Sequence, residues 1–287
     1  MFYNFNMFFK ELCFLFLFAA NFYLLFFSYA GCYLNNSIKV ENLHENNVKA
    51  LQKKIKNNYT PVISNNFVFL ERYIMANKDG EICAVDDGYS GCTIPEELIS
   101  SASGYVIKKD IKNSEVYALT ADHWCRREIF PEEYMDAELL PHDPLLENFA
   151  HTFEGFSKVE IIGRDSFADI CLIKFKSKQT RRYKNVKISK KPPEMGELLY
   201  VQSAPHGIYG REIRINFTGR FSGCAKMFCF FTIPAAEGSS GSSVINSRGE
   251  IVSIITAVIV DFENISIGPT LEQLHNFMER YDEKIRH

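Results

Sequence analysis

A large excess of either positive or negative residues is what this chain most plainly lacks. Its 287 residues carry 32 Lys and Arg against 35 Asp and Glu, a formal net charge of -3. The basic residues form scattered pairs and no long block, so there is no basic footprint for nucleic acid and no nucleic-acid partner is expected. No CxxC pair or histidine cluster has zinc-ligand spacing, and neither a metal nor a cofactor is expected. No internal repeat is present, and no low-complexity tract lies beyond the amino terminus. The nucleophile elbow G-x-S-x-G is also missing, because Ser242 stands where its last glycine belongs. What remains is ordinary globular material. Apolar residues at 46% suffice for a sizeable core, 23% charged residues are unexceptional, and the length allows one large domain or two small ones.

The amino terminus departs from this. Leu12 to Phe27 is almost wholly Leu, Phe and Ala without charge, and Lys10 precedes it. Ser28 and Ala30 stand at the -3 and -1 positions of a signal-peptidase site that cuts before Gly31. Residues 1–30 therefore read first as a secretory signal. Leu12 to Leu34 is also long enough for an uncleaved membrane anchor, and YAGC (29–32) approximates a lipoprotein box at Cys32. All three readings export the rest of the chain, secreted, periplasmic or held at a membrane through residues 12–34. Residues 31–61 read as a polar, Asn- and Lys-rich linker, and 62–287 as the folded domain. Beyond Cys13 and Cys32, six cysteines permit three disulfides and fifteen pairings. Cys83 with Cys92 and Cys224 with Cys229 are short-loop pairs. Cys171 lies in an apolar run, where a buried free thiol is at least as well accommodated.

From Phe67 the chain becomes short apolar runs between turn residues. GYVIK (104–108), VYALT (116–120), VEIIG (159–163), ICLIKF (170–175), ELLYVQS (197–203), IRINFTG (213–219), MFCFFTI (227–233) and EIVSIITAVIV (250–260) read as strands, which implies an all-β barrel or sandwich. Residues 128–148 are acidic and contain proline. In the tail, Leu271, Leu274, Phe277, Met278 and Tyr281 recur at helical spacing, the mark of an amphipathic helix whose stripe packs on the core. The histidines other than His123 read as surface or loop residues.

Three positions carry chemistry. Ser240 lies between Gly238 and Gly241, where glycine lets the backbone turn so that main-chain N–H groups point into one spot. The amides of Gly238 and Ser240 are then candidates for an oxyanion hole. His123 follows the run VYALTA at a strand end. Asp169 opens ICLIKF, and a carboxylate before a buried strand needs a partner, which a histidine supplies. A hydroxyl, an imidazole and a carboxylate are what acyl transfer requires.

LTADH (119–123) resembles the LTAAH signature of chymotrypsin-fold serine proteases, ADICLIKF (168–175) their D-(I/L)-A-(L/V)-(L/I) strand, and GSSGSSV (238–244) their nucleophile loop. SAPHGIYG (203–210) and INFTGRFSG (215–223) are similar to two further family stretches, and the bacterial HtrA-type and glutamyl-endopeptidase-type branches are nearest. The resemblance covers about residues 100–275 and implies a two-barrel chymotrypsin-like fold with a C-terminal helix and no PDZ module. It further implies a serine endopeptidase in which Ser240 is the nucleophile, His123 the general acid/base and Asp169 its orienter, acting on protein or peptide substrates. Thr256 falls where the family places a hydroxyl beside the triad carboxylate. The specificity pocket falls at Pro234 and Ala235 (base) and Ile255 and Val258 (walls), uncharged residues that favour small or apolar side chains. Asp122 replaces the usual alanine, and if it faces His123 it favours the charged imidazolium. Ser239 stands where trypsin-style activation needs an aspartate, and no IVGG-like segment lies upstream, so activation by a new amino terminus is not expected. The competing reading is a catalytically inactive binding module on the same fold.

Overall fold

The structure, a computed structural model, describes residues 65–85, 91–126, 144–210, 213–259 and 262–286. All belong to one compact unit, Thr60–His287. The hydrophobic amino-terminal segment, the polar linker, Cys13, Cys32 and most of the acidic stretch lie outside the described residues.

Six strands close a barrel in the order β1-β2-β3-β6-β5-β4. They are β1 (Phe67–Ala76), β2 (Ile94–Asp110), β3 (Glu115–Thr120), β4 (Leu146–His151), β5 (Phe156–Asp165) and β6 (Ile170–Lys176). Alternation explains why β3 and β6 are apolar on both faces. Val116, Ala118, Cys171, Ile173 and Phe175 fill the barrel interior. Tyr117, Leu119, Ile170 and Leu172, one residue out of step, face a second core shared with the rest of the chain.

The remaining strands are β7 (Leu198–Ser203), β8 (Ile215–Ala225), β9 (Phe228–Phe231), β10 (Ser243–Ile245), β11 (Ile251–Ile254), β12 (Ala257–Ile259) and β13 (Phe262–Pro269). They form one sheet in the order β11-β10-β7-β8-β9-β13-β12 around a core that includes Leu199, Val201, Phe231, Val244 and Ile255. The ladder does not close, but the sheet curls until β11 meets β13, where Ser253 Oγ donates to Pro269 O at 2.7 Å. The terminal helix, α2 (Leu271–Arg286; α1 is Asp122–Cys125), starts at a reciprocal cap. Thr270 N donates to Gln273 Oε1 (2.8 Å) and Gln273 N to Thr270 Oγ1 (3.2 Å). Its Leu274 and Phe277 are fully buried in the shared core, with Met278 and Tyr281 packed beside them.

Three expectations change. EIVSIITAVIV is two strands, β11 and β12, because Ile255 gives its backbone to the serine loop: Ile255 N donates to Ser242 O (2.8 Å) and Gly241 N to Ile255 O (2.7 Å). Cys171 is not free but bonded to Cys125, alongside Cys83–Cys92 and Cys224–Cys229. Two histidines are more than surface residues. His151 in β4 meets Glu71 (2.5 Å), and His275 in α2 bonds Ser189 O (2.7 Å).

Candidate active site

The end of β3 delivers the imidazole. Thr120 is the last strand residue, Ala121 turns the chain, and α1 carries His123 outward with its side chain 41% exposed. Asp169 immediately precedes β6, which pairs with β3 through Thr120 and Cys171. It adopts a left-handed φ of 53°, a region where aspartate is enriched among non-glycine residues. There its two carboxylate oxygens split. Oδ1 accepts from the His123 main-chain N–H and Oδ2 meets the ring Nδ1, both at 2.8 Å. The carboxylate thereby fixes the position of the backbone and the rotation of the ring, and leaves the second ring nitrogen for other work.

The disulfide Cys125–Cys171 reinforces this pairing. Each cysteine lies two residues beyond His123 or Asp169, so the bond ties the two chain segments directly behind the polar contact.

The serine loop comes to the same place from the second sheet. Gly241 lies so close to the end of the barrel that a Cβ there would collide with Ser103 O, Thr120 Oγ1 and Ala121 N. Its φ of 85° also suits glycine alone. Ser103 N donates to Ser240 O (2.8 Å), and the buried Ser103 hydroxyl donates to Gly238 O (2.8 Å) while accepting from Ala204 N (3.1 Å). No hydrogen bond joins Ser240 Oγ to His123 among the described residues. The structure brings the serine loop to the histidine through Gly241, two residues from His123 in the case of Ala121.

Burial separates Ser240 from its neighbours. Ser239 is 1% exposed and Ser242 0%, whereas Ser240 is half-buried. Ser239 is also occupied: its hydroxyl accepts from Ala236 N (3.1 Å) and its N–H donates to Ala236 O (2.9 Å). That turn is closed by its own residues, without an ion pair. The N–H groups of Gly238 and Ser240 have no acceptor among the described residues. They are the donors an oxyanion would use.

Asp122 does not face His123. It is fully buried against Arg164, with Arg164 Nε on Oδ1 at 2.7 Å and Arg126 Nε on Oδ2 at 3.4 Å. Burial pushes its pKa up, but hydrogen bonds from Arg164, Ser166 and Arg126 and the charge of Arg164 outweigh this and hold the carboxyl below the usual carboxylate range. Its expected influence on the imidazole is replaced by a structural one. Arg164→Ala is expected to destabilise by about 1–3 kcal/mol, since it removes the nearest charged donor of a buried carboxylate and leaves it Arg126 and Ser166 alone. Asp122→Ala, which removes the buried charge itself, should cost less. Because the Asp122 carboxyl is held low, the stability it contributes is present above about pH 4 and is lost as pH falls below that. Urea denaturation of the two variants tests the order; equal losses at neutral pH would refute it.

The expected pocket residues converge in part. Ala235 packs with the buried Ile255, Pro234 is half-buried, and Val258 is 36% exposed on β12, the edge strand. The Thr256 hydroxyl donates to Ile267 O (3.4 Å). The chain sequence gave no direct pointer to Ser103 or Arg164. The matched Cys125 and Cys171 spacing was a usable signal.

The trypsin-like peptidase domain family matches residues 102–254. Compared by sequence with curated proteins, the chain matches none. Among solved structures, its fold is similar to that of a serine endoprotease from Yersinia pestis, with a TM-score of 0.51 and 16% identity over 78% of this chain. This chain spans 65% of that one, a little under two thirds of its length. A protease from M. tuberculosis in its active form has a TM-score of 0.52 and 10% identity, with 76% of this chain and 83% of that chain covered.

Proposed function

The chain belongs to the trypsin-like peptidase domain family, and from that premise we propose that it is a serine endopeptidase with Ser240 as nucleophile. In this reading Ser240 Oγ attacks the peptide carbonyl carbon and its proton passes to the free ring nitrogen of His123. The N–H groups of Gly238 and Ser240 take the oxyanion. His123 then gives the proton to the leaving amine as the C–N bond breaks, and water, deprotonated by the same nitrogen, hydrolyses the acyl-enzyme. Asp169 keeps the ring oriented and stabilises its charged form. The observation that carries the reading is the double hold of Asp169 on the main chain and ring of His123. A polypeptide adds to the unpaired edge of β12, an extended mode of binding that depends on main-chain hydrogen bonds.

A fluorophosphonate probe tests this directly. Labelling of the full-length protein on Ser240 is the expected result; an unlabelled but folded protein would favour the inactive binding module. Ala235, Ile255 and Val258 bring no charge to the pocket, so a Lys, Arg, Asp or Glu side chain would be desolvated there without a partner. A cleavage profile on a peptide library should accordingly favour small or apolar residues before the scissile bond. Dominance by a charged residue there would contradict the assignment. Three disulfides suit an oxidising compartment, and with the hydrophobic amino-terminal run they support export, by a cleaved signal or with attachment through residues 12–34.

A further inference from the structure

A cavity of about 560 Å3 opens between the barrel and the second sheet, and none of His123, Asp169 or Ser240 lines it. Phe67, Phe153 and Tyr209 give it aromatic walls, and no described lining residue is acidic. Two arginines stand among its lining residues. Arg182 lies 4.2 Å over the Phe153 ring and donates to the neutral Gln179 Oε1 (3.0 Å). Arg214 is half-buried and has no acidic partner among the described residues. A half-buried guanidinium without a carboxylate favours an anion.

Gln202, only 3% exposed, makes the second demand. Asn216 Nδ2 donates to Arg214 O (3.1 Å), which turns Asn216 Oδ1 towards Gln202 Nε2 (2.8 Å). That chain of bonds fixes both amides and leaves Gln202 Oε1 buried with no donor. A buried acceptor without a partner is costly. The cavity therefore asks for an anion for the arginines, an N–H for Gln202 and an apolar group for the aromatic walls. A terminal peptide residue combines a carboxylate, an adjacent amide N–H and a side chain within a volume of this size.

We propose that this cavity binds the C-terminal carboxylate end of a peptide, with Arg182 and Arg214 on the carboxylate and Gln202 Oε1 on the preceding N–H. The site is separate from the chemistry at Ser240 and stands whether or not that reading holds. Calorimetry on the full-length protein, after treatment with fluorophosphonate to block Ser240, tests it with N-acetyl-L-phenylalanine as the probe. Saturable one-to-one binding is expected. N-acetyl-L-phenylalaninamide, without the carboxylate, and 3-phenylpropionate, without the N–H, should each bind at least about tenfold more weakly. Arg214→Gln and Arg182→Gln should weaken the probe by a similar factor without changing hydrolysis of an uncharged peptide. Gln202→Glu, which sets a carboxylate against the ligand's own, should abolish binding. The arginine variants change only side chains that reach solvent, so their result decides the matter even where Gln202→Glu fails to fold. Absence of saturable binding, equal affinity for the amide, or indifference to both arginine substitutions overturns the proposal.

Discussion

Ser240→Ala is expected to lower kcat by on the order of 10⁶ while leaving the fold intact, the scale seen when a working triad loses its nucleophile. The Ser240 contact that holds the loop is made by its carbonyl, which accepts from Ser103 N, and alanine keeps that carbonyl. Neighbouring hydroxyls cannot substitute. Ser242 is buried, and Ser239 is committed to Ala236. Ser239→Ala should instead cost about 1 kcal/mol of stability, the worth of one hydrogen bond, and retain most activity. Active-site titration with a fluorophosphonate, alongside thermal unfolding, separates these outcomes. Persistent labelling of the Ser240→Ala protein would show that another residue is the nucleophile.

Gly241→Ala is expected to damage catalysis and folding together. The added carbon meets Ser103 O, Thr120 Oγ1 and Ala121 N, all at the rigid end of the barrel, and the backbone there has a φ that alanine resists. Relief requires the serine loop to withdraw from the histidine. A displacement near 1 Å at a reacting group costs about 10² in rate, and overpacking adds about 1–3 kcal/mol of destabilisation. Both losses should appear together, in kcat and in the urea midpoint. Wild-type turnover in this variant would mean that the loop does not reach His123 through Gly241.

The sequence made much of this legible because the relevant signals are local. Short apolar runs between turn residues disclosed β3 and β6, and the helical spacing of Leu271, Leu274, Phe277, Met278 and Tyr281 disclosed α2. The order His123, Asp169, Ser240 at strand ends fixed the candidate chemistry, since a strand end is where a polar side chain escapes the core. What stayed hidden depends on partners distant in the chain. Asp122 reads as a neighbour of His123, but Arg164, 42 residues on, turns it away. β10 has three residues, Ser243–Ile245, too few for alternation to register, and β12 merges with β11 in the sequence because the break at Ile255 is made by a loop from elsewhere.

The bond between Cys125 and Cys171 bears on how the molecule would survive a cut. The two cysteines are 46 positions apart, and closing a loop of that length restricts the unfolded chain by about 4 kcal/mol. It also spans the acidic stretch that separates the histidine from the aspartate. Were another enzyme to sever the chain within that stretch, the pieces would remain one covalent particle. His123 and Asp169, each two residues from the crosslink, would still meet. Such a nicked protein should run as two bands on a gel only after reduction, and hydrolyse peptides until then.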